Sequence, residues 1–136
     1  MNVILCLDDK NGMLFNKRRQ SSDSCLRESV FNYINGKKLY MNRYTEKQFC
    51  DCASKIIVDN DFLSKAEADD FCFVEDSDIS LFINEVKAFI IYRWNRVYPS
   101  DVKFPSDHLK NFKLISKTDF SGSSHEKITM EVYERV

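Results

Sequence analysis

Arg43 and Thr45 stand two positions apart at the end of an apolar stretch. An arginine fork beside a hydroxyl could hold a phosphate at a strand-to-helix junction; the plain alternative is a surface arginine and a helix cap. Lys17-Arg18-Arg19 is a basic run that could receive an anionic ligand or RNA. It could equally be a solvated loop, and no aromatic-basic interleaving of an RNA-binding sheet accompanies it. Cys50-Asp51-Cys52 could supply half of a metal site. The two histidines, His108 and His125, are remote and no second cysteine pair follows, so zinc spacing is not met. The acids Glu67, Asp69, Asp70, Glu75, Asp76 and Asp78 could collect a divalent cation, yet they lack the ligand spacing of a calcium loop. A solvated acidic face is the default, and no metal site is expected. Ser123-Ser124-His125-Glu126 holds the residue types of a hydrolytic triad, but contiguous residues leading into a strand do not converge as a triad must. Trp94, flanked by Arg93 and Arg96 and near Tyr98, could stack a ring ligand or pack at a strand end.

Composition narrows the function classes. The chain has 136 residues but three glycines, Gly12, Gly36 and Gly122. Neither common glycine-rich phosphate loop can be written, because both need two glycines a few residues apart. Twenty basic and twenty-one acidic residues give a net charge of −1, so no basic field exists to attract nucleic acid and no nucleic-acid partner is expected. Hydrophobic residues make up 43% of the chain, enough for one core, and the length suits a single domain over 1–136. The five cysteines show no disulfide framework. Asp8 and Asp9 interrupt the first apolar run, which excludes a signal-peptide pattern, and the apolar runs 3–7 and 88–92 are too short to span a membrane. The expectation is a cytoplasmic protein with reduced thiols and no membrane partner.

The elements that must position these residues follow from the apolar pattern. Val3–Leu7 is a continuous apolar run of the kind found in a strand covered on both faces. Asp8–Gly12 is turn chemistry. Ser21–Ser24 offers helix caps, with Asp23 placed to cap a helix beginning at Ser24, and Leu26, Val30, Phe31 and Ile34 recur at helical spacing. Gly36 fits the position just past that helix. Strands are predicted at 38–41, 54–58, 71–74, 88–94, 112–116 and 128–133, and a second helix at 79–86 from the apolar residues 79, 82, 83 and 86. Strand–helix alternation points to α/β with a largely parallel sheet. The two C-terminal strands are close enough to pair antiparallel.

Several segments, in order along nearly the whole chain, resemble the dihydrofolate reductase family. Asn35-Gly36-Lys37-Lys38-Leu39-Tyr40-Met41-Asn42-Arg43-Tyr44-Thr45 resembles its Gly-Lys, apolar, Gly-Arg-x-Thr segment. Ser100-Asp101-Val102-Lys103-Phe104-Pro105 resembles Gly-Asp-Thr-x-Phe-Pro, Phe112–Ile115 the following Trp-x-Leu strand, and Ile128–Arg135 the terminal Phe-Glu-Ile-Tyr-Glu-Arg strand. The resemblance implies a three-layer α/β sandwich, with a mostly parallel central sheet and an antiparallel C-terminal strand. It implies NADPH-dependent reduction of a pterin-like ring, with Asp23 near the place of the catalytic carboxylate and therefore a candidate proton donor.

The departures from that family are specific. Its cofactor site uses two adjacent glycines after a strand, and Glu75 and Asp76 stand there in this chain. A carboxylate facing a pyrophosphate is repelled by roughly 4 kcal/mol per close charge pair. Asn42 and Phe15 replace two further family glycines, and Lys17-Arg18-Arg19-Gln20 replaces a Pro-Trp. The expected function is therefore binding of a small anionic ligand or a protein partner at a remnant cleft, contacted by Arg43, Thr45, Lys17, Arg18 and Arg19, without NADPH as cofactor. The alternative is an NAD(P)H-dependent reductase using Asp23. A ribonuclease reading follows from the label ribonuclease Z that short chains of this kind carry, but that chemistry needs a His-x-His-x-Asp-His run, which two histidines do not make. Family relatives include dimers, and an exposed strand at Ala88–Trp94 could pair across one.

Overall fold

The computed structural model describes residues 1–49 and 56–136. In chain order its elements are β1 (Asn2–Leu7), β2 (Gly12–Phe15), β3 (Arg18–Arg19), α1 (Ser24–Ile34), β4 (Leu39–Met41), α2 (Arg43–Glu46), β5 (Ile56–Val58), α3 (Phe62–Lys65), β6 (Phe71–Phe73), β7 (Ala88–Arg93), β8 (Val102–Lys103), β9 (Phe112–Phe120) and β10 (Ile128–Arg135). Short 3-10 helices at Lys47–Phe49, Ser80–Glu85 and Ser106–Leu109 fill the connections. A seven-stranded sheet runs β5-β4-β6-β1-β7-β10-β9, and a three-stranded one runs β3-β2-β8. In the larger sheet β5, β4, β6, β1 and β7 are mutually parallel, while β10 is antiparallel to both β7 and β9. The fold class is α/β with a mixed, mostly parallel sheet.

The apolar run of β1 reflects its central place. Val3, Leu5 and Leu7 face a core shared with Phe62, Ile79, Val86, Phe89 and Phe104. Ile4 faces the opposite core with Leu26, Val30, Ile34, Phe73 and Trp94. Both faces are covered, so alternation has nothing to select for. Helix α1 supplies the second core with the i, i+4, i+8 stripe Leu26, Val30 and Ile34. It stops because Asn35 adopts a left-handed backbone (φ 49°), where its N–H bonds Phe31 O at 3.2 Å, and Gly36 follows at φ 83°.

The structure corrects parts of the sequence reading. Ala88–Trp94 is not an exposed strand available to a dimer, because β7 lies inside the sheet between β1 and β10 with Ala88 to Tyr92 all buried. The free edge on that side is β9. It carries Lys113 and Lys117, and a register shift leaves Ile115 outside the ladder, features that blunt edge pairing. The 79–86 segment forms a 3-10 helix at Ser80–Glu85 instead of an α-helix, although Ile79 and Val86 are buried and Phe82 and Ile83 pack on the core as the spacing implied. The predicted strand over 54–58 is observed as β5 from Ile56; its first two residues, and Cys50-Asp51-Cys52, lie outside the described residues. No described helix is long and apolar enough to cross a membrane.

Candidate functional site

Parallel strands that end together leave their C-terminal edge as the usual place for a ligand in an α/β sheet. Here that edge is formed by Asp8 after β1, Asn42 after β4, Val74-Glu75-Asp76 after β6 and Trp94 after β7. The basic run reaches it on a hairpin. β2 and β3 pair antiparallel with a two-residue connection, and Asn16 and Lys17 both take positive φ (51° and 62°), the geometry of a turn matched to strand twist. The hairpin sends its two arginines to different fates.

Arg19 turns inward. Its Nε and Nη2 donate to Glu75 Oε2 and Oε1 at 2.9 and 3.1 Å, and Nη2 also donates to Tyr44 O at 3.1 Å. The guanidinium lies 4.5 Å from the centre of the Tyr44 ring. Desolvation works against the charge on Arg19, but hydrogen bonding to Glu75 and its Coulombic attraction outweigh it and raise the arginine's pKa. Glu75 is spent on this pair. Asp76, exposed, accepts from Asn42 Nδ2 at 2.8 Å. The two carboxylates thus tie the hairpin and the α2 turn to the end of β6.

The Arg43–Thr45 segment is a strand-to-helix junction, but the backbone N–H groups of Arg43 and Thr45 are occupied. Asn42 Oδ1 accepts from Thr45 N at 3.0 Å, and Arg43 N donates to Asn60 Oδ1 at 3.2 Å. Thr45 is fully buried and its hydroxyl has no partner among the described residues, so it does not face a ligand from solvent. Arg43 is exposed.

Asp23 caps α1, as its position predicts, and does much more. Its Oδ1 accepts from Cys25 N, Leu26 N and Ser123 N at 2.9, 3.2 and 3.0 Å. Its Oδ2 accepts from Ser124 N (2.8 Å), Ser124 Oγ (3.0 Å) and His125 Nδ1 (3.1 Å). Gly122 permits this approach, because a Cβ there would collide with the Asp23 carboxylate. Burial alone would raise the acid's pKa, but the donors from Ser123, Ser124 and His125 hold it well below the ordinary carboxylate range. A proton donor needs the opposite shift. Six donors thus hold Asp23 as a buried acceptor at the start of α1, an arrangement that favours its ionised form.

Sequence reading missed His125 as a partner of Asp23. Its ring is buried and stacked on Trp94, with centroids 4.5 Å apart and planes 25° apart, and Nε2 lies 2.8 Å from Tyr98 Oη. Trp94 therefore offers that face to His125, not to a ligand. The Ser123–Glu126 run does not form its own triad; His125 instead meets an acid from the other end of the chain. Asp8 was also overlooked. It is buried and accepts from Gly12 N, Lys10 N, Tyr98 N and Gln20 Nε2 at 2.7, 2.8, 3.0 and 3.2 Å. Desolvation would raise its pKa, and the backbone donors override this and lower it.

The space left at this edge divides unevenly. Between Cys6, Met13, Arg19, Glu75 and Trp94 only about 10 Å³ remains, room for about one water. Outside the hairpin, a cavity of about 340 Å³ is bounded by Phe15, Asn16, Arg18, Arg19, Gln20, Tyr98 and Pro99; among the described residues no acid lines it, while Asp101 accepts from Asn16 N at 3.0 Å beside it. A third cavity, about 290 Å³, lies between Met13, Ile79 and Phe104 with Asp76 and Asp78 on its wall. Among the described residues no His, Cys, Asp and Glu cluster is arranged to hold a metal ion. No protein-family model matches the chain, and no curated protein is significantly similar to it in sequence.

Proposed function

We propose that this chain is a divergent dihydrofolate-reductase-like protein without normal folate and NADPH chemistry, and that it binds a small anionic ligand in the cavity beside the β2–β3 hairpin. The ordered motifs support the fold family, as does a mostly parallel sheet that closes with the antiparallel pair β9–β10. Glu75 and Asp76 speak against the family's cofactor. They place carboxylates where a pyrophosphate needs bare backbone, and the ion pair with Arg19 fixes Glu75 there. The interior gap of about 10 Å³ is also far below the several hundred Å³ of ordinary small-molecule pockets.

The observation that carries the binding reading is Arg18. It is exposed on the wall of the 340 Å³ cavity and makes no ion pair among the described residues, and Asp101, the acid bonded to the same hairpin, is engaged by Asn16 N at 3.0 Å. Its neighbour Arg19, by contrast, is already neutralised by Glu75. Lys17 at the hairpin tip adds a second exposed cation. Thermal shift and calorimetry with sulfate, phosphate, NADPH and NADH test the proposal. Saturable sulfate or phosphate binding is expected, weakened about tenfold by Arg18→Ala, the loss of one charged hydrogen bond. Micromolar NADPH binding would overturn it in favour of a working reductase.

A further inference from the structure

Tyr98 forms part of the wall of that cavity, and its phenol ends a buried chain of hydrogen bonds. Tyr98 Oη is 2.8 Å from His125 Nε2, and His125 Nδ1 is 3.1 Å from Asp23 Oδ2. The His125 and Asp23 side chains are 2% and 0% exposed. Capping of α1 uses Oδ1 of Asp23, so the bond from Oδ2 to His125 is not needed for the helix.

The chain of donors is fixed at one end and reversible at the other. Asp23 Oδ2 lies 3.1 Å from His125 Nδ1 and is an acceptor, so Nδ1 donates to it in this geometry. In the neutral ring Nε2 holds a lone pair, and the Tyr98 hydroxyl must donate inward to it. In the charged ring Nε2–H donates, Tyr98 Oη accepts, and the phenol proton is turned away from the chain. We infer that Tyr98, His125 and Asp23 form a proton-sensing relay on the anion site: protonating His125 releases the Tyr98 hydroxyl to donate to an oxyanion in the cavity. The inference rests on the anion-binding reading above.

The groups that face the His125 ring are Asp23 from the α1 cap, Ser124 from its own loop, Tyr98 from the β7–β8 connection and Trp94 from the end of β7. Asp23 is the one charged member of that set. Among the residues that line the cavity with Tyr98 the charges are Arg18 and Arg19, and two acids hold lining residues: Asp8 accepts from the Tyr98 backbone N–H and Asp101 from the Asn16 backbone N–H, each at 3.0 Å. The arginines keep their charge throughout the range in which an imidazole titrates. The Asp8 carboxylate, held below its ordinary value, keeps its charge as well.

Sulfate is the probe, since it stays dianionic over about pH 5–8, the range of imidazole chemistry. Trp94 is the only tryptophan, and stacked on the imidazole it reports ring protonation through its emission. Sulfate affinity should rise about tenfold as pH falls through the transition seen in Trp94 emission, the value of one added hydrogen bond to a charged group. Tyr98→Phe should keep the emission transition and weak sulfate binding but flatten the pH dependence. The relay is overturned, and the binding reading kept, by a wild-type affinity that ignores pH, by a Tyr98→Phe protein with the wild-type pH dependence, or by Trp94 emission without a transition. Absence of saturable sulfate binding at every pH overturns both. The wild-type measurement stands alone if the variant fails to fold.

Discussion

Replacing Asp23 with asparagine isolates the charge of this buried anion from its shape. Asparagine caps helices as well as aspartate does, so the α1 cap survives. What changes is the second oxygen. An amide nitrogen at the Oδ2 position would face Ser124 N and His125 Nδ1, which donate to it at 2.8 and 3.1 Å in the native protein. Donor would then face donor, and the charge-assisted part of the bonds to Oδ1 would be lost as well. The expected cost is about 2–3 kcal/mol at pH 7, the scale of a buried, hydrogen-bonded carboxylate. The pH dependence has a defined sign. The folded-state pKa of Asp23 is lowered, so its stabilisation is fully present above the unfolded carboxyl value near 4 and is lost as pH falls from there toward the folded value. Below pH 4 the gap between wild type and Asp23→Asn should shrink by about 1.4 kcal/mol per pH unit. Urea unfolding of both proteins at pH 7 and pH 3, followed by circular dichroism, measures the two gaps. A gap under about 0.5 kcal/mol at pH 7, or an equal gap at both pH values, would show that the donors around Asp23 do not hold a charge.

Other substitutions probe the same edge. Gly122→Ala drives a methyl group into the Asp23 carboxylate and should cost about 1–3 kcal/mol in thermal unfolding; a neutral result would mean the 121–125 turn does not press on α1. Glu75→Leu leaves the half-buried Arg19 guanidinium without its acid and should cost about 2 kcal/mol, most of it recovered in the double variant Arg19→Met/Glu75→Leu. Additive losses in that double-mutant cycle would remove the pair as a structural tie. Burial pushes the Cys72 thiol up to about 12, so peptide mass spectrometry should find it unalkylated in native protein at neutral pH and labelled after unfolding. Rapid native labelling of Cys72 would contradict its place in the core.

Periodicity and continuous apolar runs made much of the scaffold legible. The run 3–7 predicted a strand covered on both faces, the stripe Leu26, Val30 and Ile34 predicted α1, and Asp23 predicted its cap. These features depend on neighbours a few residues apart. The β2–β3 hairpin leaves little trace in the sequence because its strands are four and two residues long and its turn is Asn16-Lys17, without the glycine that advertises such turns. The 79–86 segment kept its buried positions and changed its helix type, since apolar spacing fixes a face but not a hydrogen-bond pattern.

The candidate site was legible as a set of residue types but not as a set of partners. Composition and motif order alone settled that no glycine-rich phosphate loop exists and that acids stand at Glu75 and Asp76. Only the tertiary structure decided that Glu75 closes on Arg19, 56 positions earlier, which leaves Arg18 as the cavity's unneutralised arginine. It also decided that Asp23 and His125, 102 positions apart, share a buried contact. The physical reason is that hydrogen bonds and ion pairs across the sheet depend on where strand ends converge. Helical and strand periods record which face is buried, and carry no register between residues that the fold alone brings together.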